Sequence, residues 1–286
     1  MKISKLLEEK KPLLSFEVFP PKTTDKFDSV KSATEKIAEL SPSFMSVTYG
    51  AGGTTDKYTT EIASNLLKNY NVTPIAHLTC VGTQKNKISD KLKEFTDNGI
   101  ENILALRGDI PEEGRKYNDF TYASELVKFI KSQGDFCIGG ACYPDTHVES
   151  KNQQEDILNL KKKVDAGCDF LTTQMFFDNN VFYNYLFKLR EAGITVPVIP
   201  GIMPVTNAKQ IKRSCALSGT YLPSRFKRIV DRFGENPDAM QQAGIAYATE
   251  QIIDLYANGI CAVHVYSMNK PEVAKKIQEN LSEILK

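Results

Sequence analysis

A (β/α)8 TIM barrel, an α/β fold occupying residues 1–286 as one domain, is predicted by three observations. Eight short apolar runs with β-branched or aromatic character recur along the chain, and helical patterns separate them. Gly99, Gly134, Gly167, Gly193 and Gly259 each follow a helical pattern and precede an apolar run, where a helix C-cap glycine belongs. The runs also end in polar clusters: Phe16-Glu17, Thr48-Tyr49-Gly50, His77-Leu78-Thr79-Cys80, Arg107-Gly108-Asp109, Tyr143-Pro144-Asp145 and Thr173-Gln174. Polar groups gathered at successive strand ends are how a barrel builds an active site.

The runs occupy residues 13–19, 44–48, 73–79, 102–106, 136–141, 170–173, 196–200 and 262–266, and each reads as a buried strand. Helical patterns lie between them at 26–40, 55–70, 88–98, 121–132, 152–166, 181–192 and 240–258. Strict alternation implies parallel strands joined by helical crossovers. The unit after the seventh run is longer than the rest. Its residues 207–240 hold two helical stretches, 208–217 and 223–233, around Ser218-Gly219-Thr220-Tyr221, so an extra helix decorates the barrel there.

Composition excludes several classes of partner. With 36 Lys plus Arg against 35 Asp plus Glu, no global field favours nucleic acid or an anionic membrane, and a small-molecule partner is expected. Residues 1–11 are charged and lack a signal-peptide core, and no apolar run reaches the length of a membrane span, so a cytoplasmic location is expected. The six cysteines form no CxxC pair, and four sit in or beside apolar runs, which predicts free thiols rather than a disulfide frame or a zinc site.

Each cluster has a chemical and a plain structural reading. Alternation along the first run puts Ser15, Glu17 and Phe19 on one side, and Pro20-Pro21 stops the strand just beyond. A carboxylate buried there is expected to have a raised pKa and to serve as a general acid, against the alternative of a structural ion pair. Gly50-Ala51-Gly52-Gly53-Thr54-Thr55 lacks the third glycine of a dinucleotide-binding turn and reads equally as backbone that approaches a flat ligand or as a tight turn. Arg107 and Asp109 are expected to point the same way across Gly108, with an Arg-Asp pair as the plain alternative. Ser150 and Gln153 read as a capping box for the helix that follows, and Asp156, Asn159 and Lys163 share one of its faces, with His147 at its entrance. His77, His147 and His264 lie on separate units without ligand spacing, so no metal is expected. His77 reads as a hydrogen-bonding group and His264 as a satisfied core residue.

Taken in order, the motifs resemble the bacterial methylenetetrahydrofolate reductase family. The matching stretches are Ser15-Phe16-Glu17-Val18-Phe19-Pro20-Pro21, Ser46-Val47-Thr48-Tyr49-Gly50-Ala51, Ala76-His77-Leu78-Thr79-Cys80, Leu106-Arg107-Gly108-Asp109 and Tyr143-Pro144. They continue in the Leu158 to Gly167 helix, in Thr173-Gln174-Met175-Phe176-Phe177-Asp178 and in Pro200-Gly201-Ile202-Met203-Pro204-Val205. The resemblance implies a flavin, FAD rather than FMN, that takes hydride from NADH or NADPH and passes it to 5,10-methylenetetrahydrofolate, giving 5-methyltetrahydrofolate in a ping-pong cycle. By the same resemblance Glu17 is the general acid, and Asp109 lies by the flavin and hydrogen-bonds the pterin; its negative charge there is expected to lower the flavin's potential. Gln174, Gln210 and Lys270 match folate-contacting positions. Thr48, His77, Arg107, Gly108, Asp109, Tyr122, Ala123, Tyr143, His147, Asp156, Asn159 and Lys163 match flavin-binding ones.

Two positions depart from the family pattern. Ser214 stands where a substrate-stacking phenylalanine is usual, and Lys270 replaces an arginine, which puts the electron donor and the grip on folate in question. The resemblance further implies a homo-oligomer, or a partner subunit that supplies electrons. The regulatory domain that eukaryotic relatives carry after the barrel, with its S-adenosylmethionine control, is expected to be absent. Two other readings compete: a flavin-free pterin-binding methyltransferase barrel, which would be colourless, and a scaffold subunit of a larger complex.

Overall fold

The eight staves of the barrel lie side by side in parallel, and the seventh is split in two. A computed structural model describes residues 1–21, 23–49, 56–111 and 113–286, without the side chains of Asp56 and Lys57. The Gly50 to Thr55 turn therefore lies outside the described residues. In chain order the first half runs α1 (Ile3–Glu8), β1 (Leu13–Val18), α2 (Phe27–Ala38), β2 (Phe44–Val47), α3 (Asp56–Tyr70), β3 (Pro74–Thr79), α4 (Lys85–Asp97) and β4 (Asn102–Leu106). The second half runs α5 (Ala123–Gln133), β5 (Cys137–Cys142), α6 (Gln153–Asp165), β6 (Phe170–Thr173), α7 (Asn179–Glu191), β7 (Val198–Ile199), β8 (Gly201–Ile202), α8 (Ala208–Ser218), α9 (Ser224–Phe233), α10 (Pro237–Ala257), β9 (Ala262–Tyr266) and α11 (Pro271–Asn280).

The strand order is β7-β6-β5-β4-β3-β2-β1-β9-β8, every pair parallel. The strand expected at 196–200 is instead two short segments either side of Pro200, because proline has no N–H to give to a ladder. β7 pairs with β6 and β8 with β9, so the ring closes through that interruption. The two helices of the long seventh unit are α8 and α9, as expected. Sequence patterning missed α1 and α11, and it started the helix at 240 three residues late, since Asn236 caps α10 and Pro237 opens it.

Gly99, Gly167, Gly193 and Gly259 have φ between +74° and +121°, which makes them left-handed or similarly glycine-favouring stops. Gly134 is extended instead, with φ 172°. The expected Ser150/Gln153 capping box is corrected too. The Asn152 side chain caps α6 by accepting from Glu155 N at 2.9 Å, and Glu155 accepts from Lys151 N at 2.8 Å.

Period two along the strands builds the interior in layers. Leu13, Phe44, Ile75, Leu104, Cys137, Phe170, Ile199 and Ala262 form an apolar floor, closed from below by Ile3 of α1. Asn102 holds that plug by accepting from Ile3 N at 2.9 Å. Gly139 makes room for the floor: a Cβ there would lie 2.4 Å from the Phe170 ring. One step up each strand the inward positions turn polar, with Ser15 and Glu17 on β1, Ser46 on β2, His77 on β3, and His264 and Tyr266 on β9.

Candidate active site

Register alone brings four of those polar groups together. Glu17 pairs with Ser46 across β1–β2, and Ser15 with His264 across β1–β9. The Ser46 hydroxyl lies 3.4 Å from Glu17 Oε2 and 2.9 Å from His264 Nε2, while His264 Nδ1 lies 2.8 Å from Ser15 Oγ. From β3, His77 Nε2 stands 3.6 Å from the same carboxylate oxygen. That nitrogen has no hydrogen-bond partner among the described residues, and the ring is only 5% exposed. Sequence reasoning placed Glu17 and His77 at the mouth but read His264 as core. The alternation Ala262, His264, Tyr266 was the signal that it faces inward.

The electrostatics correct one expectation. Burial pushes the Glu17 carboxyl up, but the nearby His264 and His77 rings, 3.9 and 3.6 Å away, and the Ser46 hydroxyl outweigh it, and the pKa falls below the ordinary carboxylate value. His77 is itself driven down to about 4, chiefly by burial, with Glu17 opposing. His77 is neutral above that pH and lends no charge there. Glu17 in the open mouth is a carboxylate.

Two clamps fix Glu17 from beyond β9. Ser267 Oγ donates to the Glu17 carbonyl at 2.8 Å, and Asn269 both accepts from Phe19 N at 3.0 Å and donates to Phe19 O at 2.9 Å. Met268 and Asn269 turn at φ +55° and +53°, which ends the backbone ladder and leaves side chains to continue it.

Around the rim, Thr48 follows β2 and is held by its N–H on Val18 O at 2.9 Å. Gly108 has φ +86°, and a Cβ there would meet Val81 Cγ1 at 2.9 Å. Arg107 and Asp109 do not form the flanked gap expected of them. The Arg107 guanidinium is held by both oxygens of Glu149 at 2.5 and 2.6 Å, which raises the arginine's pKa and lowers the acid's, and Asp109 is left exposed. Tyr122, 61% exposed, precedes Ala123 at the start of α5.

Beyond β5, the Tyr143 and His147 rings meet edge to face at 4.5 Å. Asp156 is buried, accepts from His147 N at 3.1 Å and from Ser150 Oγ at 3.3 Å, and has its pKa raised chiefly by burial. Lys163 donates to the Ala141 carbonyl at 2.5 Å, with its pKa lowered by burial. Asn159, expected on the same face, is exposed and accepts from Lys162 at 3.1 Å. Gln174 is half-buried at the end of β6, and its side chain accepts from Met175 N at 2.9 Å. Gln210 is exposed on the first turn of α8, Ser214 is half-buried one turn on, and Lys270 donates to Thr206 Oγ1 at 2.7 Å. Asp145, named in the sequence only as the end of the Tyr143-Pro144-Asp145 cluster and given no role there, has a carboxyl that burial pushes up to about 6.

Polar side chains collected on the C-terminal rim of eight parallel staves, above a sealed apolar floor, define the protein as a barrel of the enzyme-bearing (β/α)8 class. The chain belongs to the methylenetetrahydrofolate reductase family, whose model matches residues 2–282. It is 36% identical over 298 residues to methylenetetrahydrofolate reductase (NADH) 1 of Arabidopsis thaliana, covering 99% of this chain and 50% of that protein. It is 34% identical over 268 residues to 5,10-methylenetetrahydrofolate reductase of Escherichia coli K12, covering 94% and 90%. The chain thus spans about half the length of the plant relative and most of the bacterial one. Among solved structures, a Clostridium thermocellum protein that binds two copies of 5-methyl-5,6,7,8-tetrahydrofolic acid shares the fold, with TM-score 0.68, 16% identity and coverage of 98% and 99%. All six cysteines are free, and no helix among the described residues is long and apolar enough to cross a membrane.

Proposed function

We propose that this chain reduces 5,10-methylenetetrahydrofolate to 5-methyltetrahydrofolate with a bound flavin, FAD, and NADH as co-substrate. The observation that carries the reading is Glu17, a carboxyl at the end of β1 gripped by Ser46, His264 and His77 in the barrel mouth of a chain of this family. NADH is favoured over NADPH by the names of the plant relatives. Free cysteines support a cytoplasmic location. Leu158 and Phe187, exposed on the consecutive helices α6 and α7, support a homo-oligomer.

The mouth suits a flat cofactor. The missing side chain at Gly108 leaves backbone open to close approach, and the orphaned His77 Nε2 offers a polar contact to a ring laid over it. Arg107, His147 and Lys163, on three separate segments, are cations or donors suited to a diphosphate, which is the reason to favour FAD. The flavin, when bound, supplies hydride storage between the nicotinamide and the folate. Glu17 gives a proton to the folate nitrogen that departs when the one-carbon bridge opens, while Asp109, Gln174, Gln210 and Lys270 hold the pterin and its tail.

The test is Glu17→Gln, assayed as two anaerobic half-reactions. Reoxidation of reduced flavin by methylenetetrahydrofolate is expected to fall at least about 100-fold, with reduction by NADH retained within about threefold. A colourless protein that binds no flavin overturns the reading in favour of a flavin-free barrel.

A further inference from the structure

Outside the mouth, a cavity of about 360 Å³ lies between the start of α7, the start of α9 and the middle of α10, and the reaction proposed above has no use for it. Gln251 lines this cavity and is only 7% exposed. Its amide nitrogen donates to Phe176 O at 3.3 Å and to Asn179 Oδ1 at 3.1 Å. Its amide oxygen has no partner among the described residues. Turning the amide over would set that oxygen against two acceptors. Asn179 cannot turn to meet it, because its own nitrogen is committed to Gln251 O at 3.0 Å and Asp254 Oδ2 at 2.6 Å. A buried acceptor left alone is costly, and the cavity is where a donor for it can enter.

The rest of the lining selects the donor. Asp178, Glu250 and Asp254 face the cavity with one cation, Arg225, which leaves two formal negative charges in excess. Arg225 is spent on Glu250: its Nη2 donates to both carboxyl oxygens at 2.8 and 2.7 Å, and its guanidinium lies 5.7 Å from the centre of the Tyr247 ring. The excess therefore sits on Asp178 and Asp254. Asp178 commits Oδ1 to the N–H and the side-chain nitrogen of Asn180, at 2.9 and 3.0 Å, and its Oδ2 has no partner among the described residues. By capping α7 it also takes up the attraction that this helix N-terminus would offer an anion. No three acidic or metal-ligating side chains among the described residues converge on a point where a metal ion could sit. Acceptors spread along a cavity suit a cation that carries N–H groups at more than one place.

We propose that this cavity binds a small aliphatic diammonium ion, with one ammonium donating to Gln251 Oε1 and the two positive charges matched by Asp178 and Asp254. Phe177, Pro223 and Tyr247 supply apolar wall for the methylene chain that joins the two nitrogens. The wall is held without any ligand, since the Tyr247 hydroxyl donates to Phe177 O at 2.6 Å. The site shares no residue with the mouth, so it stands or falls independently of the folate chemistry.

The experiment is calorimetric titration of the full chain with 1,4-diaminobutane at low ionic strength and neutral pH. One site per chain is expected, with butylamine, which carries a single charge, binding at least about fivefold more weakly. Asp178→Asn keeps the cap of α7, because asparagine caps as well as aspartate, and should weaken diamine binding roughly three- to tenfold. Gln251→Met, close in volume but without the amide, should weaken it by a similar factor. Glu283→Gln, an exposed acid on the C-terminal segment, should leave it within about 1.5-fold. The proposal is overturned by the absence of saturable binding up to roughly 10 mM diamine, or by displacement of the diamine by an equal concentration of Mg²⁺, which marks a diffuse counterion layer. Binding that Asp178→Asn leaves unchanged overturns it as well, and that variant decides alone if Gln251→Met does not fold.

Discussion

Replacing His77 by glutamine removes a buried base whose pKa burial lowers from 6.5 to about 4. The unfolded chain protonates this ring near pH 6.5 and the folded chain only near 4, so between those values the unfolded state binds more protons. Stability attributable to His77 is therefore intact above 6.5 and lost as pH falls toward 4. Integrating that difference gives a loss of about 2.5 kcal/mol on going from pH 7 to pH 4.5, with a ceiling of roughly 3.4 kcal/mol below both values. The ring is 5% exposed, so solvent screening takes little from this figure.

Asp145 works the other way. Its carboxyl is raised from 3.8 to about 6, so the folded state binds the extra proton and gains roughly 2 kcal/mol over the same acid step. The informative quantity is therefore the difference between variant and parent, in which Asp145 cancels. Urea unfolding of the flavin-free proteins at pH 7 and 4.5 should show that difference moving by about 2.5 kcal/mol in favour of His77→Gln at the lower pH. A difference that stays constant within about 0.5 kcal/mol would show that the folded protein does not hold His77 neutral, and the argument from burial would fall.

Two further substitutions test the rim. Gly108→Ala places a Cβ 2.9 Å from Val81 Cγ1 and 3.2 Å from Thr79 Cβ at φ +86°. The left-handed strain and the overpacking together should cost about 2–4 kcal/mol in urea unfolding, and Val81→Ala in the same chain should recover part of it; a loss under about 1 kcal/mol would contradict the crowding. Glu149→Gln removes the charge that occupies the Arg107 fork. Because Glu149 is 53% exposed, stability should change by less than about 1 kcal/mol, whereas flavin affinity, read by fluorescence titration, should rise several-fold as the guanidinium is freed for an anion. Weaker flavin binding would mean that the pair supports the site rather than competing with it.

Periodicity within one element was legible, and chemistry between elements was not. Alternation in β1 put Ser15 and Glu17 on the inner face, and the strand-end clusters lie together at the C-terminal ends of the strands. What completes Glu17 comes from Ser46, 29 residues away, and His264, 247 residues away, and the sequence carries no local mark of that meeting. The same distance in sequence hid Glu149 behind Arg107, so the nearer Asp109 looked like the partner. The raised pKa expected for Glu17 counted burial alone, which is the largest influence on that carboxyl; the opposing hydrogen bonds appear only once strands are in register. The misplaced cap of α6 has a local cause. Ser150 and Gln153 satisfy the spacing, but Ser150 is drawn to Asp156 and leaves the capping to Asn152.

The split seventh stave links closure of the ring to the state of Glu17. Pro200 cannot donate, but its carbonyl accepts from His264 N at 2.9 Å, so the residue that completes the acid cluster is also the first tie across the seam. On the other side, Gly201 N donates to Thr173 Oγ1 at 2.8 Å, and the Tyr266 hydroxyl reaches over to Thr173 O at 2.5 Å. A Cβ at Gly201 would lie 2.4 Å from both that hydroxyl and that carbonyl, so glycine is required for the tyrosine to cross. Tyr266 in turn packs its ring against the edge of His264 at 5.5 Å. The imidazole is thus fixed by its own backbone on one side and by a bridging phenol on the other, which leaves its two nitrogens to Ser15 and Ser46. Closing the barrel and orienting the imidazole beside Glu17 are one structural act, because the same residues of the seam fix both.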